Sequence, residues 1–216
     1  DPLREGADLM TGSSHKTFPG PQGGFLLSSS EDVTFHRRLN NAMFPGVCSS
    51  YHLHHVAGKV MALAEFMEYG EAYATDIVSN ARAFAGALAA EGFDVLAESR
   101  GYTASHQVLT RHGELDSGAG AKAAQRLEEA GIITNMNMLP GDTKAMTPSG
   151  LRLGVQELTR VGFSNDDMEE VASFYARVLL HGEDPAAVRA DVHALKQQRQ
   201  TIRYCFNEDE RSGYPE

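Results

Sequence analysis

The chain has 216 residues, enough for one large domain or two small ones with cores of their own. Apolar residues make up 42% and charged residues 22%, a globular composition that excludes a disordered or fibrous chain. Nineteen Lys and Arg against 29 Asp and Glu leave a formal charge of −10 with no basic cluster to offset it, so no nucleic-acid partner is expected.

No apolar run approaches the ~18 residues of a membrane span, and no membrane partner is expected. Cys48 and Cys205 cannot form a disulfide framework, and neither has a partner at metal-ligand spacing. No metal is expected, and a cytoplasmic location is the default. The chain opens on Asp1-Pro2-Leu3-Arg4-Glu5-Gly6, with no initiator Met, basic n-region or apolar h-region. It reads as no signal peptide, and as either a processed chain or part of a longer one.

Ala7 to Gly12 reads as the end of a buried strand, and Gly23 to Ser28 as a second short strand. The Pro and Gly residues between them predict a loop that holds His15 and Lys16 at a strand end. Glu31 to Asn41 predicts a short helix that stops before Phe44-Pro45-Gly46. Val56, Val60, Leu63, Phe66 and Met67 recur at helical spacing, which predicts a helix from His52 to Tyr69 ended by Gly70, then a second from Glu71 to Ala90. Phe93 to Ala97, Ser105 to Thr110, Ile132 to Asn137 and Gly150 to Gly154 read as strands. Gly118 to Ala130 predicts a helix closed by Gly131. Asn165-Asp166-Asp167 caps a helix through His181, and Pro185 sits near the start of a last helix through Tyr204. The charged tail from Asn207 to Glu216 is expected to fray. The helix–strand alternation after the first 50 or so residues fits an α/β or α+β unit, with a boundary near residues 70–80.

Lys16 follows a strand in a Gly/Pro-rich loop beside His15. A lysine so placed can form a Schiff base if its ammonium is desolvated enough to lose a proton; the alternative is a solvated surface lysine. Arg152 interrupts the short apolar strand Gly150-Leu151-Arg152-Leu153-Gly154. Its fork suits a bidentate carboxylate, either a ligand's or that of a structural Asp or Glu. His52, His54 and His55 have no carboxylate or Cys at matching spacing, and helix geometry is expected to scatter them around the axis.

Four stretches, in order, resemble the serine hydroxymethyltransferase family of fold type I pyridoxal-phosphate enzymes. They are Ser13-Ser14-His15-Lys16-Thr17-Phe18-Pro19-Gly20-Pro21-Gln22-Gly23-Gly24; Phe44-Pro45-Gly46 with His54 and Ala57-Gly58-Lys59; Leu127 to Ile132 with Asn135 and Asn137; and Ser149-Gly150-Leu151-Arg152-Leu153-Gly154 with Leu158-Thr159 and Gly162-Phe163. The first and fourth are specific, and the others support them. The resemblance implies an α/β fold, the C-terminal part of a fold type I (aspartate aminotransferase-like) enzyme with a small α+β C-terminal domain. Residues 1–75 would be the rear of the large cofactor domain, 76–206 the small domain and 207–216 a tail.

By this resemblance Lys16 would hold pyridoxal 5′-phosphate covalently, with His15 beside it as a catalytic group and Ser13 near the cofactor. Arg152 would hold the substrate carboxylate, and Asn137 would contact the folate cosubstrate. Thr103 and His106 match the family's Thr-x-x-His. After Phe44-Pro45-Gly46 the family carries Gln-Gly-Gly-Pro where this chain has Cys48-Ser49-Ser50-Tyr51. Ser49 and Ser50 would then meet the cofactor phosphate of a neighbouring subunit in a homodimer with shared active sites. Val155-Gln156-Glu157 replaces Thr-Pro-Ala, as in looser relatives such as threonine transaldolases. The implied activity is serine–glycine interconversion with tetrahydrofolate as one-carbon carrier. A folate-free aldol-type enzyme such as a threonine transaldolase is the alternative, with serine, glycine or threonine as substrate. The family's remaining cofactor groups precede the lysine segment and cannot be placed here; Asp1 lies too near Lys16 to be one of them. A piece inactive by itself is therefore the second alternative.

Overall fold

The computed structural model describes residues 2–50 and 52–207. The expected tail from 208 onward, Asp1 and Tyr51 lie outside the described residues. The chain divides into two compact units, Asp1–Glu68 and Tyr69–Glu216.

The first unit opens with an antiparallel hairpin of β1 (Met10–His15) and β2 (Pro19–Leu27). The sequence predicts a loop across Pro19 and Pro21, yet both lie within β2. In a two-stranded sheet each strand is an edge, so the missing N–H of a proline leaves no ladder partner stranded. The Ser14 hydroxyl donates to the Pro21 carbonyl at 2.7 Å, and Ser14 is buried. A register shift between Ser13 and His15 marks a bulge just before the turn. Gly23 has φ +148°, and a Cβ there would run into the Lys59 ammonium. The Phe18 ring meets Phe25 edge-on at 6.2 Å and Phe66 at 5.4 Å, folding the hairpin tip back onto helical residues of the same unit.

Helix α1 (Val33–Asn41) is capped by Asp32, whose carboxylate accepts from Thr34 N at 2.8 Å. An irregular turn, Ala42–Val47, follows, with Phe44 and Pro45 outside helical geometry. Helix α2 runs unbroken from Leu53 to Ala90. The predicted break at Gly70 is absent. A glycine inside a helix costs only about 1 kcal/mol relative to Ala, and the buried apolar stripe that follows it outweighs that. Tyr73, Ile77, Ala81, Phe84, Ala85 and Leu88 form one buried stripe. Nearer the N-terminus the same period gives Val56, Val60, Leu63 and Met67, all exposed.

The second unit contains the antiparallel sheet β3–β4–β6–β5. Its strands are β3 (Asp94–Val95), β4 (Gln107–Arg111), β5 (Asn135–Asn137) and β6 (Gly150–Gly154). Val108, Thr110, Leu151 and Leu153 are buried and share one face, as two-residue alternation requires. Helix α3 (Ala119–Glu129) packs on β5 and β6 through Gly120, Ala123 and Leu127, and Gly131 closes it with φ +79°. A Cβ on Gly120 would collide with the Gly150 carbonyl oxygen, so the absent side chain lets helix and strand approach. After the short helix α4 (Gln156–Arg160), Ser164 and Asp167 form a capping box ahead of α5 (Met168–Leu179). The N-cap is Ser164, one residue before the predicted Asn165-Asp166-Asp167. Helix α6 (Pro185–Gln197) begins on Asp184 and ends seven residues before the predicted Tyr204.

A carboxylate clasp joins the loops around this sheet. Asp142 accepts from Leu139 N at 2.8 Å, Asp116 N at 2.7 Å, and Ser149 N and Oγ at 3.0 and 2.8 Å. Asp116 in turn accepts from Thr143 N and Oγ1 and from Lys144 N. Asp142 thus ties the residues just after β5 to the residue just before β6. Burial alone would raise its pKa, but these donors outweigh it and hold the carboxyl well below the usual carboxylate range.

Two outcomes follow for stability. A carboxyl with a depressed folded pKa stabilises the fold above its unfolded pKa of about 3.9, and the contribution drains away as pH falls toward the folded value. The Tm gap between wild type and Asp142→Ala, wild type higher, should hold steady near neutral pH and narrow below about pH 4 in thermal melts. Gly120→Ala sets a helix-propensity gain of about 1 kcal/mol against an overpacking cost of about 1–3 kcal/mol. The collision is with backbone that cannot swing aside, so a lower Tm is expected; a higher one would show that α3 can lift off β6 freely.

Candidate functional site

Two groups of sequence-selected residues stand out, one in each unit. In the first, the β1–β2 turn holds Lys16 immediately after the last residue of β1. Lys16 is exposed, and its ammonium donates to the Ser13 hydroxyl at 2.9 Å. The bulge between Ser13 and His15 brings these two side chains to the same end of the hairpin. His15 Nδ1 lies 3.3 Å from Gly23 O and 3.4 Å from Gly23 N, so the ring is anchored across the hairpin through that nitrogen. Ser49 and Ser50 lie exposed in the segment before α2.

The three histidines at the start of α2 do not scatter. Their ring centroids stand 4.5–5.5 Å apart, because His52 precedes the helix and is free to fold back on His54 and His55. Among the described residues, no group of three or more His, Cys, Asp and Glu side chains could hold a metal ion. No helix among them is long and apolar enough to cross a membrane.

In the second unit, Arg152 occupies the middle of β6, between buried Leu151 and Leu153. Period-two alternation turns its side chain to the opposite face of the sheet. It pairs with Leu109 on β4 and with Asn135 on β5, while Asn137 pairs with Gly150. Arg152, Asn135 and Asn137 therefore share one face. Asn137 is half-buried, and its amide donates to the Met138 carbonyl at 2.6 Å. Among the described residues, no hydrogen bond or ion pair engages the Arg152 guanidinium. The structural ion pair that the sequence left open is not made there. The guanidinium offers a planar donor fork to a ligand carboxylate.

His106 is half-buried just before β4, and its carbonyl accepts from Val155 N at 3.2 Å. Burial lowers its pKa, and the Arg152 charge lowers it further. Both push the imidazole toward its neutral form. Thr103 lies in the loop before it, with its carbonyl held by Arg82 Nε at 3.0 Å. Sequence reading passed over Asn135 as a site residue, although Asn-x-Asn in a strand places both amides on one face. The Asp142 clasp gave no such signal, because its partners are mostly backbone N–H groups.

A sequence profile of the serine hydroxymethyltransferase family matches residues 2–175. A serine hydroxymethyltransferase of Pyrococcus abyssi is 56% identical over 211 residues, covering 96% of this chain and 49% of the relative. One from Thermococcus kodakarensis is 54% identical over 213 residues, again covering 96% of this chain and 49% of the relative. The chain thus spans about half the length of these curated relatives. Among solved structures, L-threonine transaldolase from Pseudomonas fluorescens, in its internal aldimine state, superposes with a TM-score of 0.87 at 31% identity, over 98% of this chain and 48% of that one. The α/β architecture is therefore that of part of a fold type I pyridoxal-phosphate enzyme, as the four sequence stretches implied. With a profile match across most of its length and relatives above half identity, the chain belongs to the serine hydroxymethyltransferase family.

Proposed function

We propose that this chain supplies the lysine hairpin and the carboxylate-binding strand of a pyridoxal-phosphate-dependent hydroxymethyltransferase that interconverts serine and glycine with tetrahydrofolate as one-carbon carrier. The observation that carries the reading is Arg152: a half-buried arginine inside a strand, with no hydrogen-bond or ion-pair partner among the described residues, on a face it shares with two asparagines. A guanidinium fork is best matched by a bidentate carboxylate, the group every amino-acid substrate brings.

The Lys16 hairpin fits pyridoxal phosphate. It presents a primary amine in reach of an incoming aldehyde, with the Ser13 hydroxyl to orient it; Lys16 is exposed among the described residues, so the desolvation that frees its proton would come from the rest of the enzyme and the cofactor itself. When bound, the cofactor supplies the electron sink for bond cleavage at the substrate Cα. The chain's own residues do the rest. Lys16 would hold the cofactor aldehyde covalently, and the Ser13 hydroxyl, which accepts a hydrogen bond from Nζ, sets the direction of the amine. His15, anchored through Nδ1, leaves Nε2 to take or return a proton beside Lys16. Ser49 and Ser50, both exposed, would receive the cofactor phosphate of the neighbouring subunit through their hydroxyl and backbone N–H groups. Arg152 clamps the substrate carboxylate with two parallel N–H bonds, which limits rotation about Cα and selects the bond that breaks. Asn137 meets the folate.

The same reading takes residues 1–75 as part of the large cofactor domain and 76–206 as the small domain of a cytoplasmic homodimer with shared sites. The exposed apolar stripe Val56, Val60, Leu63 and Met67 supports a further packing partner for α2. A second reading, a folate-free threonine transaldolase or similar aldol-type enzyme, is favoured by the structural likeness at a TM-score of 0.87. Threonine cleavage without tetrahydrofolate would decide for it.

In the complete enzyme, Lys16→Ala should remove the visible absorbance of the covalently held cofactor. Borohydride should fix the cofactor's mass on the peptide containing Lys16 in the wild type alone; label on another lysine would end the assignment. Arg152→Lys keeps the charge but loses the fork, and should raise KM for serine by roughly 10-fold or more with a smaller change in kcat. An unchanged KM would remove Arg152 from the substrate site.

A further inference from the structure

Gln156, the first residue of α4, is half-buried, and its Oε1 is fully buried with no hydrogen-bond partner among the described residues. Buried acceptors are almost always paired, so an unpaired one, here as at Thr134 Oγ1 and Thr147 Oγ1, calls for a donor. Its position is well defined. A Cβ built on Gly154 would fall 2.6 Å from that oxygen and 3.4 Å from the carboxamide carbon. The amide therefore stands directly over Gly154 Cα, in space that any side chain there would take. Gly154 is two residues beyond Arg152 on β6, and alternation puts both on one face of the sheet. The Gln156 carboxamide thus caps the end of the strip that carries Arg152.

The Arg152 side chain can reach it. Two strand residues span about 6.6 Å, within the length of an extended arginine. His106 feels the Arg152 charge, and its carbonyl is bonded to Val155 N, adjacent to Gln156. Arg152 and a buried orphan acceptor thus belong to one face of the sheet, two strand residues apart at their backbone anchors. Elsewhere, the backbone N–H of Gln156 opens α4, and its carbonyl accepts from the Tyr73 hydroxyl at 2.8 Å. The main chain is pinned while the amide oxygen is left for another task.

We propose that Gln156 is a positioning residue for Arg152: on substrate binding its Oε1 accepts an inner N–H of the guanidinium and turns the outer edge of the fork toward the amino-acid carboxylate. This rests on the assignment of Arg152 to that carboxylate. Gln156 acts through Arg152, and no bond of the substrate is made or broken at it.

The test uses the complete cofactor-loaded enzyme with Gln156→Met, which keeps the length and removes the acceptor. Serine KM and kcat, the Tm shift induced by glycine, and the Tm without ligand are measured together. KM should rise roughly tenfold, the size of a lost hydrogen bond to a charged group, with kcat within about twofold and a correspondingly smaller glycine-induced Tm shift. Gln156→Glu sets a carboxylate against the fork in competition with the substrate, and should raise KM further; it carries the same test if the Met variant does not fold. Arg152→Lys is measured beside them. If Arg152→Lys raises KM while both Gln156 variants leave KM and the glycine shift unchanged, Gln156 is merely structural and the proposal falls alone. If Arg152→Lys also leaves KM unchanged, the carboxylate assignment falls and takes the proposal with it.

Discussion

The register of β6 is the constraint on which the face carrying Arg152, Asn135 and Asn137 depends. Leu151, Arg152 and Leu153 are consecutive, and a slip of one residue against β4 would turn the guanidinium into the core and two leucines toward solvent. Both outcomes are costly, because a buried unpaired cation and an exposed pair of large apolar groups act in the same direction. The apolar pattern therefore sets the register strongly, and the site takes its geometry from that. Asp142 adds a second restraint from outside the sheet. By binding Ser149 on one side and Leu139 on the other, it fixes where β6 starts relative to where β5 ends. Without it, Asn135 could shift against Arg152 while the hydrophobic face stayed intact.

The lysine hairpin uses another device. A two-stranded ribbon has little core of its own, so its tip needs anchors. Phe18 supplies one by packing edge-on against Phe25 and Phe66, and the buried Ser14 hydroxyl supplies another by satisfying the Pro21 carbonyl. Between these anchors the bulge lets Ser13 and Lys16 meet at the turn. The two prolines that made the segment look like a loop serve the hairpin as edge-strand residues, because a strand without N–H groups at those positions cannot recruit a further strand.

The sequence made some features legible and hid others for definable reasons. β6 was readable to the residue because its glycines bracket an apolar alternation. Helix α3 was readable because Gly131 closes it in a left-handed conformation that few other residues adopt. Gly70 misled because a single propensity penalty of about 1 kcal/mol is small beside the burial of the stripe from Tyr73 to Leu88 that follows it. The histidine cluster misled because a helical projection was applied to His52, which lies outside the helix. The family could be read from short motifs, since those motifs combine backbone requirements with chemistry. Asp142 and Gln156 could not, because what defines them is which backbone N–H groups or which empty volume the fold brings near, and no local pattern encodes that.

Helix α2 shows how far periodicity can be trusted. Its apolar spacing is continuous, but the outcome differs along its length: Ala81, Ala85 and Leu88 are fully enclosed, while Met67 is 89% exposed. Periodicity reports which face is suited to burial, and a neighbour must still be present to bury it. For the C-terminal part of α2 the neighbour is the core of the second unit. For Val56, Val60, Leu63 and Met67 no described residue fills that role. An apolar face of that extent on a helix with otherwise ordinary polar residues is the mark of an interaction surface rather than of solvent exposure. The sequence pattern on α2 thus has the same logic as the guanidinium on β6, which meets no hydrogen-bond or ion-pair partner among the described residues: in each, the group itself sets the chemistry that would complement it, an apolar surface for the one and an anion's acceptors for the other.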